Sequence, residues 1–442
     1  MGPTLINGAA LAICETLGIG CWGCAVGGWF AGKLADRLFA AVLSCSAAPR
    51  PRDPGHDWWC QVPGLAGMYW AWATRIRAGV IASVSMRHAV SYAILSASSP
   101  SASCACAAAL GPGVMCMFIV VGEALVDLVG QRGGRTFVAH PGGSPANVAL
   151  GLARLGVPVT LMTRLGHDGL GKMIFEHLRA SGVRVDGGPA QGTSTSLAVA
   201  TLAAGVASYD FRIEWDMPAL APLPIETRCL HTGSLATALA PGNANVIELV
   251  ERERTRGRVT ISYDPNVRPA LLSDTVRART DIERLVALSD VVKVSDEDLR
   301  WLYPDQPDEL VAQDWLGLGP ALVVVTRGGV GVYAVSAGVE LHRPVVPIDL
   351  VDTVGAGDSF TSGLLEALHR TDLIGGSRRE AVAAIDESTL ASVVEAAALT
   401  AAITCSRPGA NPPTRAEIDA LLAARDCSSD ATSAGRGHLP TV

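Results

Sequence analysis

Asp352-Thr353-Val354-Gly355-Ala356-Gly357-Asp358-Ser359-Phe360 is the stretch on which the reading of this chain turns. Before it, Val345-Val346-Pro347-Ile348 reads as a strand approaching a loop. After it, Phe360, Leu364 and Leu368 recur at helical spacing, with Ala367 beside them. The Gly-Ala-Gly-Asp segment therefore falls where a loop opens a helix. Unpaired backbone N–H groups and the positive end of the helix make such a place an anion site. Two glycines let the backbone come close to a bulky anion such as a phosphate. Asp358 adds a carboxylate to the first turn, where it repels a phosphate unless it takes a proton from an attacking hydroxyl. That combination points to phosphoryl transfer to an alcohol. Gly-x-Gly-Asp also occurs at ordinary turns, and Asp near a helix start is a common cap. Alone, the stretch leaves both readings open.

A second motif lies far upstream. Gly142-Gly143-Ser144-Pro145-Ala146-Asn147 runs into the helical pattern of Val148 to Leu155. It is not a dinucleotide fingerprint, because the third glycine is missing from its place. Together, and in this order, the two motifs resemble the signatures of the ribokinase-like carbohydrate kinases, the PfkB family. The resemblance covers roughly Met117 to Thr414.

Several expectations follow from that resemblance. The fold is an α/β, ribokinase-like, doubly wound and mostly parallel sheet with a small β lid, the lid coming from about 131–141 and 194–213. Asp358 acts as base, while the backbone of Gly355, Ala356 and Gly357 stabilises phosphate charge. Asp127, Gly142, Gly143 and Asn147 contact the sugar, for which carboxylate and amide groups suit a polyol. Thr326, Gly328 and Gly331 match the nucleotide loop Thr-x-Gly-x-x-Gly. Asp264-Pro265-Asn266-Val267-Arg268 resembles a motif of the fructokinase-like members. There Arg268 either stabilises the transferred phosphate or holds Asp264 structurally. Lys293-Val294-Ser295-Asp296-Glu297 also looks like fructokinases and places Lys293 and Ser295 at the nucleotide.

The family often carries Asn-x-x-Glu where this chain has Ser295 and Asp298. Asp298 would then help organise Mg²⁺ through water, although Ser295 followed by acidic residues is also an ordinary helix N-cap region. Asp352 and the backbone near Gly409 match the family's monovalent cation site, for K⁺. The implied cofactors are ATP and Mg²⁺, with K⁺ ordering the loop. The implied partners are a small sugar and a second copy of the chain, paired through the lid.

The residues outside the motifs set bounds. The chain has 442 residues, 49% hydrophobic and 17% charged, with a net charge of −7, which gives no sign of a nucleic-acid surface. Eight of eleven cysteines and six of nine tryptophans precede Met117, so the composition breaks sharply there. Residues 1–116 sustain neither a helical nor a strand period. Ile6 to Gly28 is apolar but diluted by glycine and interrupted by Glu15, and no basic segment precedes it. Cys21-Trp22-Gly23-Cys24 lacks the strand–helix context of a redox site, and Cys104 and Cys106 lack zinc-finger histidines. The expected division is an extension over 1–116 that is not a folded domain, a kinase domain over 117–426 and a disordered tail over 427–442. On this reading translation starts at Met115 or Met117, and the protein is cytoplasmic, with no membrane segment.

From Met117 onward, apolar runs alternate with helical patterns, which predicts βα units in a largely parallel sheet with its site at the carboxyl ends of the strands. Glu123 is left without a role. The expected reaction is ATP-dependent phosphorylation of fructose at its 6-hydroxyl. The alternatives are a kinase for ribose or 2-keto-3-deoxygluconate, and a catalytically inactive regulatory relative.

Overall fold

The computed structural model describes residues 117–187, 192–203, 206–272 and 274–423. The expectations for the extension over 1–116 and for the tail over 427–442 fall outside these residues. Nine strands form the main sheet: β1 Met117–Val121, β4 Val159–Met162, β5 Arg184–Asp186, β8 Thr227–Gly233, β9 Thr260–Asp264, β10 Val291–Ser295, β11 Leu322–Thr326, β12 Gly331–Ser336 and β13 Glu340–Pro344. Their order is β13-β12-β11-β10-β9-β8-β1-β4-β5. The pairs from β5 across to β11 are parallel, and β12 alone is reversed, pairing antiparallel with both β11 and β13. The sheet is thus mostly parallel, as the alternating pattern predicts.

Helices cover both faces: α1 Ser144–Arg154, α2 Gly169–Ala180, α3 Gly242–Arg256, α4 Thr275–Leu288, α5 Asp296–Leu302, α6 Asp308–Leu318, α7 Ala356–Arg370 and α8 Glu387–Cys405. This explains why the strands read as unbroken apolar runs. In β1, Phe118 and Val120 face the core formed with α1, α2, α7 and α8, whereas Ile119 and Val121 face the one formed with α3, α4, α5 and α6. Leu322 and Val324 of β11 divide from Val323 and Val325 in the same way. Helix α8 is apolar and long enough to cross a membrane by composition alone. Here it packs on α7, where Thr404 donates to Ser359 at 2.9 Å and any side chain at Gly363 would strike Thr400.

The lid is a separate four-stranded mixed sheet in the order β3-β2-β6-β7, from β2 Leu125–Gln131, β3 Phe137–Gly142, β6 Ser196–Ala203 and β7 Val206–Arg212. Strand β6 pairs parallel to β2 and antiparallel to β7. The segments expected to form the lid do so, but β2, with Asp127 on it, lies at its centre and was not expected as a strand. A second difference concerns Val345 to Ile348, read as a strand. The strand is β13, which ends at Pro344; the following residues run outside the sheet, exposed except for Val346, which packs half-buried against Leu155, Leu399 and Ile418. Pro344 and Pro347 lack the N–H groups a ladder needs.

Candidate active site

Strand order reverses around β1, which has β4 on one side and β8 on the other. In an open α/β sheet the crevice beyond the carboxyl ends of the strands at such a point is where ligands bind. Three loops converge on this one: from β3 into α1, from β9 onward, and the loop opening α7.

Gly355 caps α7 with φ of 75°, in the left-handed region, and a Cβ there would come within 2.6 Å of Ala410. Gly357 meets a different constraint, because a Cβ would lie 2.9 Å from the Lys293 Nζ. The segment is therefore a close-packed backbone turn, with the amides of the first helical turn left for a ligand. Asp358 sits in that turn. Ser144 Oγ donates to its Oδ1 at 2.6 Å, and Asn147 Nδ2 donates to its Oδ2 at 2.8 Å. The two sequence motifs thus meet on one carboxylate. Burial pushes the Asp358 pKa up; the bonds from Ser144 and Asn147 and the Lys293 charge pull it back, and a net rise remains.

Lys293 projects from β10 beneath this turn. Its ammonium is almost fully buried and donates to Asp264 Oδ2 at 3.0 Å, with side chains 5% and 2% exposed. Burial alone would lower its pKa; Asp264, with Asp298 and Asp358 beyond, outweighs that and keeps it charged. Lys293 therefore lies behind the anion turn as a buried cation. Arg268 does not hold Asp264, contrary to one of its two expected roles. Its Nη1 bonds instead to Asn266 Oδ1 at 2.7 Å and to the carbonyls of Asn266 and Val267. A lysine already occupies the Asp264 carboxylate, which leaves the guanidinium to brace its own loop.

Asp127 lies on β2 with its carboxylate against Gly142, where a Cβ would come 2.1 Å from Oδ2. Burial lifts its pKa to about 6, opposed by Arg268 and aided by Asp358. Gly143 has φ of 101°, and a Cβ there would come within 2.7 Å of the Glu123 carbonyl oxygen, so the chain enters α1 only with glycine there. Gly142, Gly143, Asn147 and Asp127 thus face the same space as Asp358.

The outer positions differ in character. Ser295 caps α5, accepting from the Asp298 N–H at 3.0 Å, so its oxygen serves the helix. Asp298 Oδ1 accepts from the Val267 N–H at 3.0 Å, and burial lifts its pKa to about 6. Among the described residues no group of three or more His, Cys, Asp or Glu side chains could hold a metal ion alone. Asp352 and Gly409 do come together, through the Gly409 N–H donating to Asp352 Oδ2 at 2.8 Å. The Val354 N–H takes Oδ1, so Asp352 ties the anion turn to the closing loop. Thr326 ends β11, and Gly328 and Gly331 follow with φ of 47° and 131°. A Cβ at Gly331 would strike the Arg343 carbonyl at 2.1 Å.

Sequence reading missed three partners. Ser144 stood inside a quoted motif without a role, the Lys293–Asp264 pair was not foreseen, and Glu123 is a buried carboxylate beside the pocket. Glu123 accepts from the Ala236 N–H at 3.1 Å, and burial pushes its pKa up to about 7. Only the Glu123 position carried a signal, since it lies just past the carboxyl end of an apolar strand, where open α/β sheets place their ligand sites.

Residues 115–417 match the pattern of the pfkB family of carbohydrate kinases. The chain belongs to the pfkB family of carbohydrate kinases. It is similar to a fructokinase of Rhizobium leguminosarum bv. trifolii, 34% identical over 283 residues that span 62% of this chain and 85% of that protein. Among solved structures it resembles a double-mutant fructokinase of Vibrio cholerae O395 in a fructose-, ADP- and potassium-bound form. That likeness is 26% identical with a TM-score of 0.56, over 67% of this chain and 94% of the other. An aminoimidazole riboside kinase of Salmonella enterica shares the fold at 24% identity and a TM-score of 0.58, over 69% of this chain and 99% of that one. The family's members are phosphotransferases, so this pfkB chain is read as a sugar kinase whose sugar is the finer question.

Proposed function

We propose that this pfkB kinase transfers the γ-phosphoryl group of ATP to the 6-hydroxyl of fructose. The observation that carries the reading is the meeting of both motifs on Asp358, a carboxylate in the first turn of a helix whose entry is bare backbone. Asp358 takes the proton of the attacking hydroxyl as the new oxygen–phosphorus bond forms and the bond to the departing ADP breaks. The amides of Gly355, Ala356 and Gly357 meet the charge developing on the phosphoryl oxygens. Lys293, buried behind Gly357, adds a fixed positive charge on that side. Asp127, Gly142, Gly143 and Asn147 hold the sugar, and the lid sheet excludes water that would otherwise take the phosphate.

Thr326, Gly328 and Gly331 line the nucleotide side. Asp298 would hold Mg²⁺ through water, the ion supplying positive charge to the ATP phosphates, while the Asp352–Gly409 clasp would hold K⁺ and so stiffen the turn. The identity to fructokinases supports fructose over other sugars. Phe137, Val138 and Tyr209 are 40%, 56% and 55% exposed on the lid, an apolar surface that a second copy would cover.

A coupled ADP-release assay with fructose, ribose, 2-keto-3-deoxygluconate and adenosine, each with Mg²⁺, tests the substrate. Selective turnover of fructose is expected; turnover of another acceptor keeps the mechanism and replaces the sugar. In the same assay Asp358→Asn should lower kcat about 10²–10⁴-fold with little change in ATP affinity. Turnover at the wild-type level would remove the base assignment.

A further inference from the structure

We propose that Ser144 is a positioning residue for catalysis, its hydroxyl aiming and holding the Asp358 carboxylate while Asn147 fixes the other oxygen. The inference rests on the reading of Asp358 as the base and adds what keeps that base in place.

The local chain explains why a hydroxyl does this work. Gly143 turns the backbone with φ of 101°, and α1 begins at Ser144 with no side-chain cap. Ser144 is therefore not spent on capping, the usual employment of a serine at a helix start. Pro145 follows and has no N–H, and its ring packs where a Cβ at Gly122 would be, at 2.2 Å. With that amide missing, the end of α1 offers Asp358 side-chain donors. Ser144 and Asn147 stand three positions apart and so share one face of the helix. Ser144 is buried, at 8% exposure, and its bond to Asp358 is its only side-chain hydrogen bond among the described residues. A buried hydroxyl at 2.6 Å from a carboxylate oxygen forms a charge-assisted bond, stronger than a neutral one.

The clamp leaves the base competent. An ionised carboxylate has about four lone-pair sites, so one donor on each oxygen leaves sites for the acceptor hydroxyl. Asn147 keeps its Oδ1 and a second N–H for the sugar. Both clamp donors also favour the charged form of Asp358 against the charges around it. Those are Asp127 on β2 and Asp264 on β9, which oppose ionisation, and Lys293 on β10, which supports it.

The test is the pH profile of kcat/KM for the sugar in the full chain, with kcat and the KM for ATP. Ser144→Ala should move the acid limb upward by about 0.5–1 pH unit, lower kcat about tenfold, and leave the KM for ATP within about twofold. Ser144→Thr, which restores the hydroxyl, should return the limb towards wild type. Ser144→Cys keeps the volume with a weak donor and gives the same readout should the alanine variant fail to fold. An acid limb that stays in place in folded Ser144→Ala or Ser144→Cys overturns the proposal and leaves the base reading standing. A wild-type profile without an acid limb, or full turnover by Asp358→Asn, fails the base reading itself.

Discussion

The two ends of the central sheet each hold buried acidic groups, and they are built in opposite ways. At the amino end of β10, Asp290 accepts from Arg254 at 2.6 Å, from Arg379 and from the Ile261 N–H at 2.8 Å. Its carbonyl takes the Ala321 N–H, and Arg379 also reaches the Gly319 carbonyl. Two cations and two strands converge on one carboxylate, which is saturated and remote from the crevice. At the carboxyl end, Asp358 has only neutral hydrogen-bond donors among the described residues, Asp264 holds the buried Lys293, and Asp127, Asp298 and Glu123 crowd the same space. Burial lifts all three of these last carboxyls above the usual range, and Asp358 with them. The first arrangement spends charge on holding strands together. The second keeps acids underpaired, as expected where a ligand brings its own hydroxyls and cation.

The largest effect should come from breaking the buried Lys293–Asp264 ion pair at the active end. Lys293→Ala strands Asp264 in a site where both side chains are nearly inaccessible. Removing one partner of such a pair costs about 3–5 kcal/mol, because a charge is left uncompensated. The urea midpoint should fall accordingly, and turnover per folded molecule should fall with it, since Asp358 loses its neighbouring cation. Full turnover from the folded fraction would show that Lys293 is only a structural counter-ion.

The opposite end supplies the contrast. Asp290→Ala leaves the Ile261 N–H and two partly exposed arginines without their acceptor. The expected loss is about 3 kcal/mol, smaller because water reaches the guanidinium groups. Turnover per folded molecule should not change. A loss of turnover in the folded fraction would erase the functional distinction between the two ends.

How far the sequence discloses this contrast depends on the range of the interactions. The strands of the main sheet are legible because Val-rich runs such as Leu322 to Val325 are buried on both faces. The β2 strand is not, since Asp127 punctuates it and its pairing to β6 depends on residues some 70 positions away. Val345 to Ile348 has strand-like side chains, but its prolines and the sheet edge decide otherwise. At the site, the glycines and Asp358 announce themselves through local spacing. The Ser144–Asp358 bond joins residues 214 positions apart, and no periodicity predicts which side chains will face each other over that distance. Resemblance to a family orders the motifs, yet it does not disclose that Lys293 pairs with Asp264 or that Ser295 caps a helix, which only the folded geometry shows.

The smallest and most diagnostic effect concerns Glu123. Its folded-state pKa is raised from 4.5 to about 7 by burial, so between those values the folded protein holds a proton that the unfolded chain has released. Stability therefore falls as pH rises through this window, and the full cost is present above it. Asp127 and Asp298 add the same sign over a narrower range. Glu123→Gln removes the titration while keeping an oxygen to accept from the Ala236 N–H. Urea unfolding of both proteins at about pH 5 and about pH 8 should show the variant gaining about 2 kcal/mol on wild type across that interval. Parallel curves would mean that Glu123 stays ionised throughout, its charge carried by Arg268 and the Ala236 and Ser234 donors. Its carboxylate would then belong with Asp290 as a structural anchor, although it stands at the active end of the sheet.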